Sequence, residues 1–141
     1  MTDKKKILFV CTQNSARSQM AEGLMRAMYG DCYEVFSAGT EPYRVNPFAI
    51  QAMNRANIDI RTHRSKSIDE FNGEEMDYVV TVCDKAKENC PYFPGGKILL
   101  HQSFSDPAAV SGSDEEVLAE FELVRDEIKK WIEESVEQGL I

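Results

Sequence analysis

The chain has 141 residues, 43% of them apolar, which suits one compact domain over 1–141 with a sizeable core and is too apolar for a disordered segment. Its formal net charge of -8 argues against a general nucleic-acid binder, because phosphate affinity rests on basic surface. Any anionic ligand must therefore be captured by a local site.

No apolar run reaches membrane-spanning length, and Ile7-Leu8-Phe9-Val10 after Lys4-Lys5-Lys6 is too short for a signal-peptide core. A cytoplasmic location with no membrane contact is expected. Residues 6–10 read as a strand buried on both faces. A polar turn follows, and then Met20, Leu24, Ala27 and Met28 recur at helical spacing until near Gly30. Residues 33–37 read as a second strand, closed by Gly39 and Pro42. A helix is expected over 47–57, opened by Pro47, with Ile50 and Met53 on one face. The stretch 59–73 is mixed, with a short helix at 68–71. Residues 78–82 and 98–100 read as the third and fourth strands. Val117, Phe121, Val124, Ile128, Trp131 and Ile132 mark a long amphipathic helix over 114–138, whose acidic residues are expected on a solvated face.

Alternating strands and helices imply an α/β fold with a mostly parallel sheet and helices on both faces. In such sheets ligands bind beyond the carboxyl ends of the strands, where strand order reverses. Cys11 follows the first strand and Cys83 the third. If these strands are parallel neighbours, both thiols share one edge of the sheet.

The segment Cys11-Thr12-Gln13-Asn14-Ser15-Ala16-Arg17-Ser18 leads from a strand into a helix. A thiolate that attacks a tetrahedral oxyanion needs the anion's charge neutralised around it. Backbone N–H groups of a tight loop at a helix N-terminus do this. Arg17 adds a planar fork for two oxygens, and five residues between Cys11 and Arg17 let the loop wrap once around the anion. The same field favours the thiolate, and Ser18 can donate a hydrogen bond to the sulfur. Asn14 suits a left-handed backbone.

CTQNSARSQMAE, Cys11 to Glu22, resembles the anion-binding loop of low-molecular-weight protein tyrosine phosphatases and of their relatives, the thioredoxin-coupled arsenate reductases. The continuation Arg17 to Glu22 is closer to the reductases, and the similarity spans essentially the whole chain. The resemblance implies a three-layer α/β/α fold around a four-stranded parallel sheet. It implies Cys11 as nucleophile and residues Thr12 to Ser18 as the oxyanion loop.

Cys83 and Cys90, separated by six residues, are needed by a reductase and not by a phosphatase. The implied chemistry is a relay of thiolate attacks ending in a Cys83–Cys90 disulfide, reduced by thioredoxin. Such a disulfide needs α-carbons within about 7 Å, so the intervening segment must bend or unwind. Asp106, before Pro107, matches the aspartate that protonates the leaving phenol in the phosphatases. In the reductases it protonates a departing arsenic-bound oxygen or helps activate the second cysteine. Ala108 and Ala109 stand where the phosphatases have aromatics, which disfavours phosphotyrosine. Cys32 reads as a buried inert thiol, and His63 and His101 as ordinary loop or strand-end residues. A zinc site from Cys83, Cys90 and His101 lacks the usual short ligand spacing, so no metal is expected and no cofactor.

Two departures from the family pattern matter. Ala16 stands where many relatives have another cysteine. Some reductases also bind potassium beside the loop; Asn14, Glu22 and Ser37 match three of those ligands, but Lys66 stands near the fourth, and its ammonium is expected to replace the ion. The expected function is reduction of arsenate by a monomer that uses thioredoxin. The alternatives are a tyrosine phosphatase acting on aryl phosphates through a Cys11 phosphocysteine, and an anion- or redox-sensing module without turnover.

Overall fold

The computed structural model describes residues 4–84 and 93–141. Strand β1 (Lys5–Cys11) forms around Ile7, Leu8, Phe9 and Val10, which have no exposed surface at all. A strand of consecutive apolar residues gains from burial on both faces, so it takes a central place. It pairs in parallel with β2 (Tyr33–Gly39) on one side and with β3 (Met76–Thr81) on the other. β4 (Gly96–His101) adds to β3, and the order is β2-β1-β3-β4. The chain thus steps one way from β1 to β2 and then back across β1 to β3. That reversal opens a crevice beyond the carboxyl ends of β1 and β3.

Helical segments cover both faces. Ser37 of β2 bonds Glu22 of α1 (Arg17–Tyr29), while Phe71, from a 3-10 turn at Ile68–Phe71, stacks edge-on against Phe36. Adjacent strand residues point to opposite faces, so these two contacts lie on opposite sides of the sheet. Helix α2 (Pro47–Arg55) packs against α1 and against α3 (Asp114–Glu137). α3 is opened by a capping box between Ser113 and Glu116, and it buries Phe121, Val124, Ile128 and Ile132. Each such side chain contributes about 1.5–3 kcal/mol when fully buried.

The strands run slightly longer than apolar patterning predicts, because ladder bonds continue through Cys11, Gly39 and Gly96, which carry little hydrophobic signal. β3 ends sooner, at Thr81, though Val82 N still donates to Val10 O (2.9 Å). α2 stops at Arg55 instead of 57, since Asn57 takes a left-handed φ of 63°. Its buried face is Ala49, Ala52 and Met53, with Ile50 only partly covered. Small residues are needed there: a Cβ on Gly23 of α1 would lie 2.8 Å from the Met53 methyl and 2.9 Å from Ile60. Cys32 corrects the expectation of a buried thiol. It lies in the turn before β2, with its backbone tied to Tyr29 and Lys5 and its side chain exposed. Among the described residues, no helix is long and apolar enough to cross a membrane.

Candidate active site

Cys11 is the last residue of β1, and α1 begins at Arg17, so residues 12–16 form the expected loop between strand and helix. The sulfur is buried and held from behind. Ser18 Oγ lies 2.7 Å from Cys11 Sγ, and Asn14 N donates to the sulfur at 3.2 Å. Asn14 Nδ2 donates to Ser18 Oγ (2.8 Å) and to Ser37 Oγ (2.9 Å). Ser18 Oγ therefore accepts from the amide and has its own proton to give to Cys11. The amide orientation follows from Asn14 Oδ1, which accepts from the backbone N–H of Lys66 at 2.9 Å. Two donors are thus aimed at one sulfur.

Asn14 has the left-handed φ its type suits, 49°. Gly39 makes the fold of the loop possible. A Cβ there would lie 2.5 Å from Thr12 O and 2.8 Å from Asn14 N. The loop is stitched to its surroundings by Thr40 N to Cys11 O (3.2 Å), Glu41 N to Thr12 O (2.7 Å) and Asn46 N to Ser15 O (2.9 Å). Helix α1 has no side-chain cap at Ala16, which leaves its first-turn amides to an anion.

In front of the sulfur lies a cleft of about 710 Å³. Cys11, Thr12, Gln13, Ser15, Ala16 and Arg17 line it, together with Cys83 and Asp106. Arg17 is mostly buried; it donates from Nη1 to Phe104 O (3.1 Å) and holds Nη2 3.8 Å from Asp106 Oδ2. Asp106 caps the 3-10 turn Pro107–Ala109 by accepting from Ala108 N (3.0 Å), which fixes its carboxylate at the rim. Cys83 is 3% exposed, and Thr12 Oγ1 lies 3.4 Å from its sulfur. The two thiols thus line one cleft at the same edge of the sheet, as parallel neighbouring strands predict.

Asn14 and Ser18 differ from the rest of the loop. They are fully buried and do not line the cleft, and both make contacts to the Cys11 sulfur. Gln19, which sequence reasoning passed over, supports Asn14 in turn: its Nε2 donates to Asn14 Oδ1 (2.9 Å), Asn14 O (3.1 Å) and Arg64 O (2.9 Å). Its Oε1 is therefore the acceptor toward His63 Nδ1 (3.0 Å), while Arg26 Nη1 faces His63 Nε2 (3.2 Å). A neutral imidazole protonated on Nδ1 satisfies both contacts. Burial, against the opposing pull of Glu22, holds the pKa of His63 below its usual value. The available signal was a glutamine on the buried side of α1, where an apolar residue is the norm. Tyr43 and Arg44, at the cleft rim, gave no signal at all.

Glu22 is buried beneath the loop beside Arg26 (2.7 Å), Lys66 (3.6 Å) and His63 (3.6 Å), and accepts from Ser37 Oγ (2.5 Å). Lys66 Nζ also donates to Arg64 O (3.1 Å); burial lowers its pKa, against the pull of Glu22. These residues do not fit a potassium ion. Asn14 turns its NH2 group, a donor, toward Ser37, where a cation would need an oxygen. Cys90 lies outside the described residues. Among those described, no three His, Cys, Asp or Glu side chains converge as they do around a metal ion.

The family described as low molecular weight phosphotyrosine protein phosphatase matches residues 6–138. An arsenate reductase from Halalkalibacterium halodurans is 47% identical over 137 residues, covering 97% of this chain and 99% of that protein. A solved arsenate reductase in its oxidized state is 33% identical, with a TM-score of 0.80 over 95% of this chain and 98% of its own. A low molecular weight protein tyrosine phosphatase from T. tengcongensis is 25% identical, with a TM-score of 0.79 over 96% and 99%. The chain shares its three-layer α/β/α fold with these two solved structures.

Proposed function

The chain belongs to the low-molecular-weight phosphotyrosine protein phosphatase family, and from that premise we propose that it reduces arsenate to arsenite with thiols as the electron source. The observation that carries this reading is the second thiol: Cys83 lines the same cleft as Cys11, which hydrolysis does not require. The reductases among its relatives, at 47% identity over nearly the whole chain, support the same choice.

The steps balance as follows. The Cys11 thiolate attacks arsenic and forms an S–As bond, while Arg17 and the loop amides hold the other oxygens. Asp106, at the rim, gives a proton to the departing oxygen, which leaves as water. The Cys83 thiolate then attacks Cys11 Sγ; the S–As bond breaks, and its electron pair stays on arsenic, which departs as arsenite. Cys90 attacks Cys83 Sγ, forms the Cys83–Cys90 disulfide and releases Cys11 as thiolate. A dithiol protein of the thioredoxin class returns the two electrons. Thr12 Oγ1 beside Cys83 can donate to that sulfur as it becomes a thiolate.

One observation favours residual phosphatase activity. Ala108 leaves the rim without an aromatic on its side, yet Tyr43, 68% exposed, stands at the same cleft and offers a ring to an aryl phosphate. The test is arsenate-dependent NADPH consumption with thioredoxin and thioredoxin reductase, on wild type, Cys83→Ser and Cys90→Ser. Turnover in wild type that is lost in both variants is the expected result. Silence in wild type, with aryl-phosphate cleavage in all three proteins, makes the chain a hydrolase.

A further inference from the structure

The β-ladder holds the third strand's chain as far as Val82, whose N donates to Val10 O (2.9 Å) and whose O accepts from Phe104 N (3.1 Å). Cys83 comes next, beyond the ladder, with its thiol required at one place beside Thr12. A residue outside a ladder needs another restraint to stay in register. The adjoining Asp84 supplies one. Its side chain is 76% exposed, yet its carboxylate is tied to His101 Nε2 at 2.9 Å. His101 is itself fixed, since its Nδ1 lies 2.7 Å from Oγ1 of Thr81, its register partner on β3.

The hydrogen-bond inventory makes this a closed clasp. A ring nitrogen facing a carboxylate must carry the proton, so Nε2 donates to Asp84. In the neutral ring Nδ1 accepts from the Thr81 hydroxyl. In the charged ring Nδ1 donates to Thr81 Oγ1, whose proton turns to Leu100 O at 3.4 Å. Both contacts survive in either state. The path Thr81, His101, Asp84 therefore brackets Cys83 from both sides and ties it to the edge strand β4.

We propose that His101 is a positioning residue for Cys83: joined to Thr81 and to Asp84, it fastens the thiol-bearing turn to β4 and holds the Cys83 sulfur toward the Cys11 cleft. Its part in catalysis rests on the reductase reading, because only the attack of Cys83 on Cys11 uses that placement. Asp84 lines the same cleft as the loop and Arg17, but His101 and Thr81 do not. Loss of His101 should therefore slow disulfide formation and leave phosphate binding at Cys11 unchanged.

Two measurements on His101→Phe, His101→Gln and Asp84→Ala test this. The first is iodoacetamide labelling of Cys83 in the full chain, followed by peptide mass spectrometry. The second is the single-turnover rate of arsenate-driven Cys11–Cys83 disulfide formation in a Cys90→Ser background. His101→Phe and Asp84→Ala should each raise labelling and lower the disulfide rate by roughly three- to tenfold, the range for one hydrogen bond to a partly exposed charged group. His101→Gln keeps an N–H near the Nε2 position and should restore both toward wild type. The double variant should be no worse than either single one. Unchanged labelling in His101→Phe, no rescue by glutamine, or additive losses would each overturn the proposal. If wild type forms no disulfide with arsenate, the reductase reading falls, while the labelling series still decides the clasp.

Discussion

Ser18 and Lys66 act on the site from behind it, each through one atom. The Ser18 hydroxyl accepts from Asn14 and so must point its proton at the Cys11 sulfur. A hydrogen bond to a charged group is worth about 1.5–3 kcal/mol. Ser18→Ala should therefore slow iodoacetamide alkylation of Cys11 at neutral pH by about tenfold or more, with phosphate protection retained because Ser18 lies outside the cleft. An unchanged rate would mean that the loop amides alone hold the thiolate. Lys66 offsets part of the charge on buried Glu22. We propose that its ammonium does the work of a potassium ion, so melting temperature and activity should be equal in potassium and sodium salts. Lys66→Met should cost about 1–2 kcal/mol, because Arg26 remains to pair Glu22. A strong response specific to potassium in the wild type refutes this role.

Elements meet at the site through contacts that side-chain size controls. β2 approaches the oxyanion loop so closely at Gly39 that a methyl group would sit 2.5 Å from Thr12 O. Gly39→Ala should cost about 1–3 kcal/mol by forcing loop and strand apart, and should raise the KM for arsenate more than it lowers thermal stability. Retention of normal KM would show that the loop can shift without harm. The segment after α2 is joined to α1 through His63, whose imidazole is held neutral by burial. Its folded pKa lies below the ordinary 6.5, so the unfolded chain binds more protons between those two values. Stability should then fall as pH drops through 6.5 toward the folded pKa. His63→Gln should flatten that decline in melting temperature between about pH 5 and 7. An identical slope in the variant would assign the decline to other groups.

For the whole molecule, what matters is which strand ends adjoin. Cys11 and Cys83 come from distant parts of the chain and share a cleft only because β1 and β3 are parallel neighbours. Cys90→Ser should therefore release one arsenite per chain in a single burst and accumulate a Cys11–Cys83 disulfide, seen by peptide mapping. Release without that disulfide would mean that another thiol completes the chemistry. Much of this was legible beforehand. Short continuous apolar runs and apolar residues at helical spacing gave the order of strands and helices, and the Cys11 to Ser18 pattern gave a tight turn from strand into helix, because local spacing alone dictates both. Gln19, His63, Tyr43 and the Thr81–His101–Asp84 clasp were not legible, and Cys32 was misread as buried. Periodicity records which residues prefer burial; it does not record which polar groups from separate segments meet. The sequence by itself determined the α/β layering and the turn from β1 into α1 that carries Cys11 and Arg17. Only the tertiary structure decided that Asn14 N and Ser18 Oγ lie against the Cys11 sulfur, and that Lys66 lies beside Glu22. Hydrogen-bond partners are chosen by packing in three dimensions, and their order along the chain leaves that choice open.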